Sequence, residues 1–217
     1  MGLKGVLVAF EGIDGSGLTT HSKLLVERLR REGFKAGYTK EPTWGPVGRL
    51  IRELLLEQSV DHEVMALLYA ADRLWHLRVR SCLGMGVLEA LGEGFVVVVD
   101  RYKYSSMAYQ SLGTDVGWIG EVNRGAPEAD IIVYIDIPVS LALERIAARR
   151  LTFYYETYER LTRIKENFKK ILENAEERGV KVVRIRGTDE EGKPRAVEEV
   201  HEEIYRQAID RIKSLKA

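Results

Sequence analysis

Residues 10–20, Phe-Glu-Gly-Ile-Asp-Gly-Ser-Gly-Leu-Thr-Thr, carry the strongest chemical signal in the chain. Gly12, Gly17 and Thr19 fall on the spacing G-x-x-x-x-G-K-[ST], and Leu18 stands where that pattern has lysine. A glycine loop of this kind curls its backbone N–H groups around phosphate oxygens, and the helix that follows adds the positive end of its dipole. Gly12, Ile13, Asp14, Gly15, Ser16, Gly17, Leu18, Thr19 and Thr20 are therefore the expected nucleotide-phosphate loop, with the Thr19 hydroxyl placed to ligate Mg²⁺. The missing lysine would touch the β- and γ-phosphates and follow the moving charge. Removing one preorganised donor of this kind costs about 3–4 kcal/mol, or about 10²–10³-fold in rate.

Two more charged clusters follow apolar segments. Lys40-Glu41-Pro42-Thr43 comes after a short run ending at Thr39, and Asp100-Arg101 comes after Phe-Val-Val-Val-Val. An aspartate after an apolar strand helps hold Mg²⁺ in P-loop enzymes, so Asp100 joins Thr19 as an expected metal ligand. Arg101 beside it is suited to face a phosphate. Tyr69 and Arg73 are spaced i, i+4 and share one helix face. An aromatic ring beside a guanidinium either stacks on and bonds a nucleobase or forms an ordinary surface cation–π pair. Asp72 and His76 form a second i, i+4 pair, expected to be a structural or surface contact. His21, His62 and His201 lack metal-ligand spacing and are expected to be solvated.

These groups need a frame that brings strand ends together. An apolar run from Leu3 to Phe10 reads as a buried parallel strand, and a helical pattern follows from Thr19 to Gly33. Further strands are expected near Lys35–Thr39, Phe95–Asp100, Ile131–Ile137 and Val180–Ile185. Helical patterns cover Gly45–Gln58, a long stretch capped by Asp61 with Val64, Leu67, Leu68, Ala71 and Trp75 on one face, Tyr104–Leu112, Pro138–Arg150, a segment up to Gly179, and the C-terminal end. Strands alternating with helices give an α/β fold, a five-stranded parallel sheet with helices on both faces, and ligands then sit at the carboxyl ends of the strands.

Composition narrows the function classes. The chain has 217 residues, 45% of them hydrophobic, and balanced charge with 33 basic and 33 acidic side chains. One domain is expected, and bulk electrostatic capture of nucleic acid is not. No run reaches transmembrane length and the N-terminal apolar run is too short for a signal peptide, so no membrane partner is expected. The single cysteine, Cys82, lies in a helical apolar pattern, which suggests core packing, and a cytoplasmic location fits.

The chain resembles thymidylate kinase. The likeness rests on Phe-Glu-Gly-Ile-Asp-Gly-Ser-Gly at 10–17, Lys-Glu-Pro-Thr at 40–43, Leu-Leu-Tyr-Ala-Ala-Asp-Arg at 67–73, Asp-Arg-Tyr at 100–102 and Ser-Ser-Met-Ala-Tyr-Gln at 105–110. Ile-Asp-Ile-Pro at 135–138 and Val-His-Glu-Glu-Ile at 200–204 extend it over essentially the whole chain. The resemblance implies a P-loop NTPase fold, a homodimer, and transfer of the γ-phosphoryl of ATP to dTMP, giving dTDP and ADP. It implies that Tyr69 stacks on thymine, Arg73 bonds its edge, and Ser105 and Gln110 line the base pocket. Tyr109 would crowd the sugar 2′ position and Asp14 would reach the 3′-hydroxyl. Arg101 and Lys40 would hold the acceptor phosphate, with Glu41 beside them and a cis bond between Glu41 and Pro42. The family usually has arginine at position 40, so charge survives here without the bidentate fork.

Two departures from the family pattern stand out. One is Leu18. The other is a lid at about 147–157, where Phe153-Tyr154-Tyr155-Glu156 replaces a pattern ending in Asp-Arg-x-Glu. Arg149 and Arg150 are expected to swing over the phosphates and replace the lost lysine, against the simpler role of favourable charge at a helix C-terminus. The three lid aromatics either cover adenine, close an apolar lid or pack on the core. A nucleotide-binding homologue impaired in catalysis, and a kinase for another deoxynucleoside monophosphate, are the alternatives to dTMP phosphorylation.

Overall fold

The computed structural model describes residues 4–57, 59–149 and 152–216. Its centre is a parallel sheet of five strands in the order β2-β3-β1-β4-β5. The strands are β1 (Val6–Glu11), β2 (Ala36–Lys40), β3 (Val96–Asp100), β4 (Ile131–Asp136) and β5 (Lys181–Arg186). Every residue of β1 and β3 is buried, which explains their unbroken apolar runs. The edge strand β5 instead alternates, with Lys181, Arg184 and Arg186 exposed.

Helices α1 (Leu18–Arg31) and α9 (Val197–Lys216) pack on each other and on the sheet. The remaining helices are α2 (Pro46–Leu54), α3 (His62–Arg78), α4 (Val87–Gly92), α5 (Lys103–Gln110), α6 (Val116–Val122), α7 (Val139–Ala147) and α8 (Tyr158–Glu177). Helices α4 and α8 contact the sheet, and α5 packs on α8 and α3. Among the described residues, no helix is long and apolar enough to cross a membrane.

Register does the positioning. Lys40 is opposite Asp100, and Asp100 is opposite Phe10. The chain order reverses at β1, so the crevice opens at the carboxyl end of that strand, beside the glycine loop.

Several sequence expectations need correction. The helix expected up to Gln58 ends at Leu54, and Gln58 itself lies outside the described residues. The long apolar stretch is broken after Arg78, because Ser81–Met85 turns back on itself through Ser81 N–H to Met85 O at 2.8 Å. Cys82 sits in that turn, exposed, and not in the core. On α3 the stripe Val64, Leu67, Trp75 is about half exposed (48%, 51% and 46%), while Met65, Ala66, Ala70 and Leu77 face the core. Helix α6 has no counterpart in the sequence reading; its Asp115 cap accepts from Trp118 N–H at 2.8 Å.

Candidate functional site

The glycine loop joins β1 to α1 and forms the floor of a cleft of about 540 Å³. Gly15 and Gly17 have φ of +81° and +95°, a region costly to any residue with a Cβ. A Cβ on Gly12 would lie 2.8 Å from the Ile135 carbonyl, and one on Gly15 would lie 2.8 Å from that of Ala142. The ends of β4 and α7 therefore close around a cradle that only glycine fits. Leu18, the first residue of α1, joins the apolar core and is 5% exposed. Its side chain fills space and brings no charge to the loop.

Beside the loop, Thr19 Oγ1 donates to Asp100 Oδ2 at 2.5 Å. The same oxygen accepts from the Tyr38 hydroxyl at 3.1 Å, and Lys40 Nζ is 3.9 Å away. A hydroxyl and a carboxylate thus converge at the cleft floor, a hard-oxygen pair of the kind Mg²⁺ takes. Burial pulls the Lys40 ammonium below its usual pKa, against the opposing pull of Asp100.

One flank of the cleft is built on β3 and α5. Arg101 holds φ of +70°, an uncommon conformation for a residue with a side chain. Its own N–H donates to Phe10 O at 3.0 Å, and its guanidinium reaches Gly12 O at 2.8 Å, Ser105 Oγ at 3.1 Å and Asp14 Oδ1 at 2.9 Å. Tyr109 donates to the other Asp14 oxygen at 2.9 Å, and its buried hydroxyl is held above the usual pKa by desolvation. Glu11 ties the end of β1 to this segment. It accepts from Tyr102 N–H at 3.0 Å, Ser105 N–H at 3.3 Å and the Ser105 hydroxyl. Burial pushes the Glu11 carboxyl up to about 8.

Deeper on this flank lies an ion-pair network. Arg73, 1% exposed, bonds Glu41 at 2.8 Å, Ser106 Oγ at 3.0 Å and Asn123 Oδ1. His76 takes the second Glu41 oxygen at 2.9 Å and meets Thr39 Oγ1 at 2.7 Å. Asp72 accepts from both the N–H and the hydroxyl of Thr43 at 2.6 Å. The Glu41–Pro42 bond is cis, and Arg52 braces the turn through Pro42 O and Thr43 O. Tyr69 lines the cleft here, as does Gln110, whose Oε1 is buried and has no hydrogen-bond partner among the described residues.

The opposite flank is formed by α1, α7 and the start of α9. Arg145 NH1 donates to Gly15 O at 3.0 Å. Arg149 reaches Glu156 Oε1 at 3.3 Å, and Glu156 also accepts from Phe153 N–H at 2.7 Å. In the lid, Tyr154 N–H donates to Leu55 O at 2.8 Å, fastening it to the end of α2. The Tyr155 ring packs edge-on to Tyr109, 5.3 Å between centroids, and its hydroxyl is pushed up to about 12 by burial.

A family model described as thymidylate kinase matches residues 10–206. The chain belongs to the thymidylate kinase family. A relative from Aeropyrum pernix bearing a thymidylate kinase name is 50% identical over 206 residues, covering 94% of this chain and 96% of its own. Two more so named are from Pyrococcus. That of P. horikoshii is 41% identical over 79% of this chain and 84% of its own. That of P. abyssi is 38% identical over 93% and 95%.

This thymidylate kinase family member brings nearly every expected residue to one cleft. Asp14, Gly15, Leu18, Thr19, Thr20, Lys40, Glu41, Tyr69, Arg73, Asp100, Arg101, Ser105, Tyr109, Gln110 and Arg149 all line it. Arg150 lies outside the described residues. Several expectations change. Glu41 lines the cleft, but its oxygens are engaged by Arg73 and His76, so it acts through Arg73. Arg73 is paired in the interior, which removes the surface cation–π alternative, and Asp72 with His76 is buried structure. Tyr155 belongs with Tyr109 and Gln110 rather than over a donor base. His21 is buried instead of solvated. The sequence reading passed over Arg145, Arg52, Arg195 and His21 as cleft residues. Arg145 had a signal, since it precedes Arg149 by one helical turn.

Proposed function

We propose that this protein transfers the γ-phosphoryl group of ATP to dTMP, with Mg²⁺ as cofactor. The observation that carries it is the single cleft in which a glycine cradle, Thr19 with Asp100, and the Arg101–Asp14–Tyr109 cluster meet. Phosphoryl transfer needs positioning and charge neutralisation, and this cleft supplies both without a general base.

The glycine-loop amides cradle the donor phosphates. Thr19 and Asp100 would hold Mg²⁺, which neutralises phosphate charge when bound. Arg101 and Lys40 hold the acceptor phosphate, Arg101 on a rigid backbone and Lys40 as a point charge. Tyr69 stacks on the base and Arg73 bonds its edge, with Glu41 fixing the guanidinium. The unpartnered Gln110 Oε1 gains a partner from a base N–H, which thymine has. Asp14 and Tyr109 face the sugar. Arg145, docked on Gly15 O, is the best-placed replacement for the P-loop lysine, ahead of Arg149, whose guanidinium is held by Glu156.

The domain reading is one P-loop kinase unit over 1–217 with a lid at about 147–157. The half-exposed stripe Val64, Leu67, Trp75 on α3 supports a homodimer built on that face. The single cysteine suits a reducing compartment, the cytoplasm. The test is an acceptor panel with ATP and Mg²⁺ that follows product by chromatography. Conversion of dTMP well ahead of dUMP, dCMP, dGMP and thymidine supports the reading. Preferred conversion of any other acceptor refutes it.

A further inference from the structure

One polar group in the cleft has no part in the phosphoryl-transfer scheme. His21 lies on the first turn of α1 and lines the α1 flank with Arg145, Gly187, Arg195, Val197 and Val200. This flank lies across the glycine loop from Tyr69, Arg73 and Gln110, so it is where a donor bound through its phosphates would place its base. His21 is 6% exposed and packs on the last glycine of the loop. A Cβ on Gly17 would stand 3.4 Å from His21 Cδ2 and 3.7 Å from Nε2, so the Cδ2–Nε2 edge is turned toward the loop. The other ring nitrogen, Nδ1, is buried and has no hydrogen-bond partner among the described residues.

That asymmetry fixes the tautomer. A buried N–H without a partner is rarer and costlier than a buried acceptor without one. Nδ1 therefore keeps its lone pair and Nε2 carries the hydrogen. Burial, with His201 and Arg145 nearby, pulls the imidazole pKa down to about 4, so the ring is neutral near pH 7. A neutral ring offering one donor matches a neutral acceptor better than a phosphate, and cations for the phosphates already stand close by.

We propose that His21 is a donor-specificity residue, whose Nε2–H donates to a ring nitrogen of the purine of the phosphoryl donor. A purine presents acceptor ring nitrogens on both long edges of its two-ring frame, and a pyrimidine has a single short ring. His21 thereby favours purine over pyrimidine nucleotides. This deepens the kinase reading and rests on ATP lying along α1.

The test is calorimetric binding of ADP, UDP and inorganic tripolyphosphate, each with Mg²⁺, to the full chain and to its His21→Leu and His21→Gln variants. Binding of dTMP to each variant serves as the check on folding. His21→Leu is expected to weaken ADP about tenfold while UDP and tripolyphosphate stay within about twofold. His21→Gln, which retains an N–H donor, is expected to recover most of the ADP affinity. Equal weakening of all three ligands by leucine would assign His21 to supporting the loop and overturn the proposal, as would unchanged ADP affinity. Failure of the unmodified chain to bind any of the three would overturn the donor site itself, and this assignment with it.

Discussion

At the residue scale, Leu18 is decisive because it changes what must neutralise the transferred group. The loop keeps its cradle, and the position of the lost ammonium is taken by a side chain in the apolar core. A replacement cation has to reach the loop from another element. Arg145 does so through Gly15 O at 3.0 Å, whereas Arg149 is paired with Glu156. Arg145→Ala should lower kcat by about 10²-fold, the usual cost of removing one preorganised charged donor. Arg149→Ala should cost several-fold less, and the reverse order in a coupled assay would assign the role to Arg149. The glycine spacing and Thr19 were plain in the sequence because a phosphate cradle tolerates few alternatives. Arg52 and Arg195 were not, because the sequence around an arginine carries no mark of what its guanidinium will meet.

At the element scale, the site exists because β1, β2 and β3 end at one level, with Lys40, Asp100 and Phe10 in register. The strands were legible as apolar runs, and their parallel order followed from the helices between them. The face of α3 was not legible. Its buried side carries Arg73, Asp72 and His76 as well as apolar residues, and its exposed side carries Val64, Leu67 and Trp75, so the hydrophobic stripe marks the wrong face. Periodicity reports where apolar residues lie, and an internal ion-pair network inverts the usual inference. Glu11 links two elements, the end of β1 and the start of α5, and it titrates. Its folded pKa of about 8 lies above the ordinary value of 4.5, so the folded state holds its proton more tightly than the unfolded chain. The resulting stabilisation is complete below pH 4.5 and is lost as pH rises through about 8. The wild type should therefore lose stability between pH 5 and pH 8 relative to Glu11→Gln, on the order of 3 to 4 kcal/mol in denaturant melts. Parallel pH profiles would show that Glu11 is ionised in the folded protein.

At the scale of the whole molecule, the cleft divides into two flanks around the glycine loop. Arg101, Tyr69 and Arg73 line one flank, the acceptor side in the proposed reaction, and His21, Arg145 and Val197 line the other, which that reaction would give to the donor. The apolar face of α3 stands outside both, and Trp44 and Leu50 are exposed as well. If this face joins two copies, Leu67→Glu should convert the dimer to a monomer in light scattering at micromolar concentration, because a charge facing its own copy across a two-fold axis is repelled. An unchanged mass would place the interface elsewhere. The resemblance read from ordered motifs covered the cleft well, since it assembles expected residues from positions 13 to 149. The most direct measurement is steady-state turnover of dTMP with ATP and Mg²⁺ beside a Leu18→Lys variant. Measurable turnover by the unmodified chain, changed by lysine no more than about tenfold because Arg145 already serves, is the predicted result. No turnover by the unmodified chain, with activity restored by lysine, would contradict it and leave a kinase scaffold silenced at one residue.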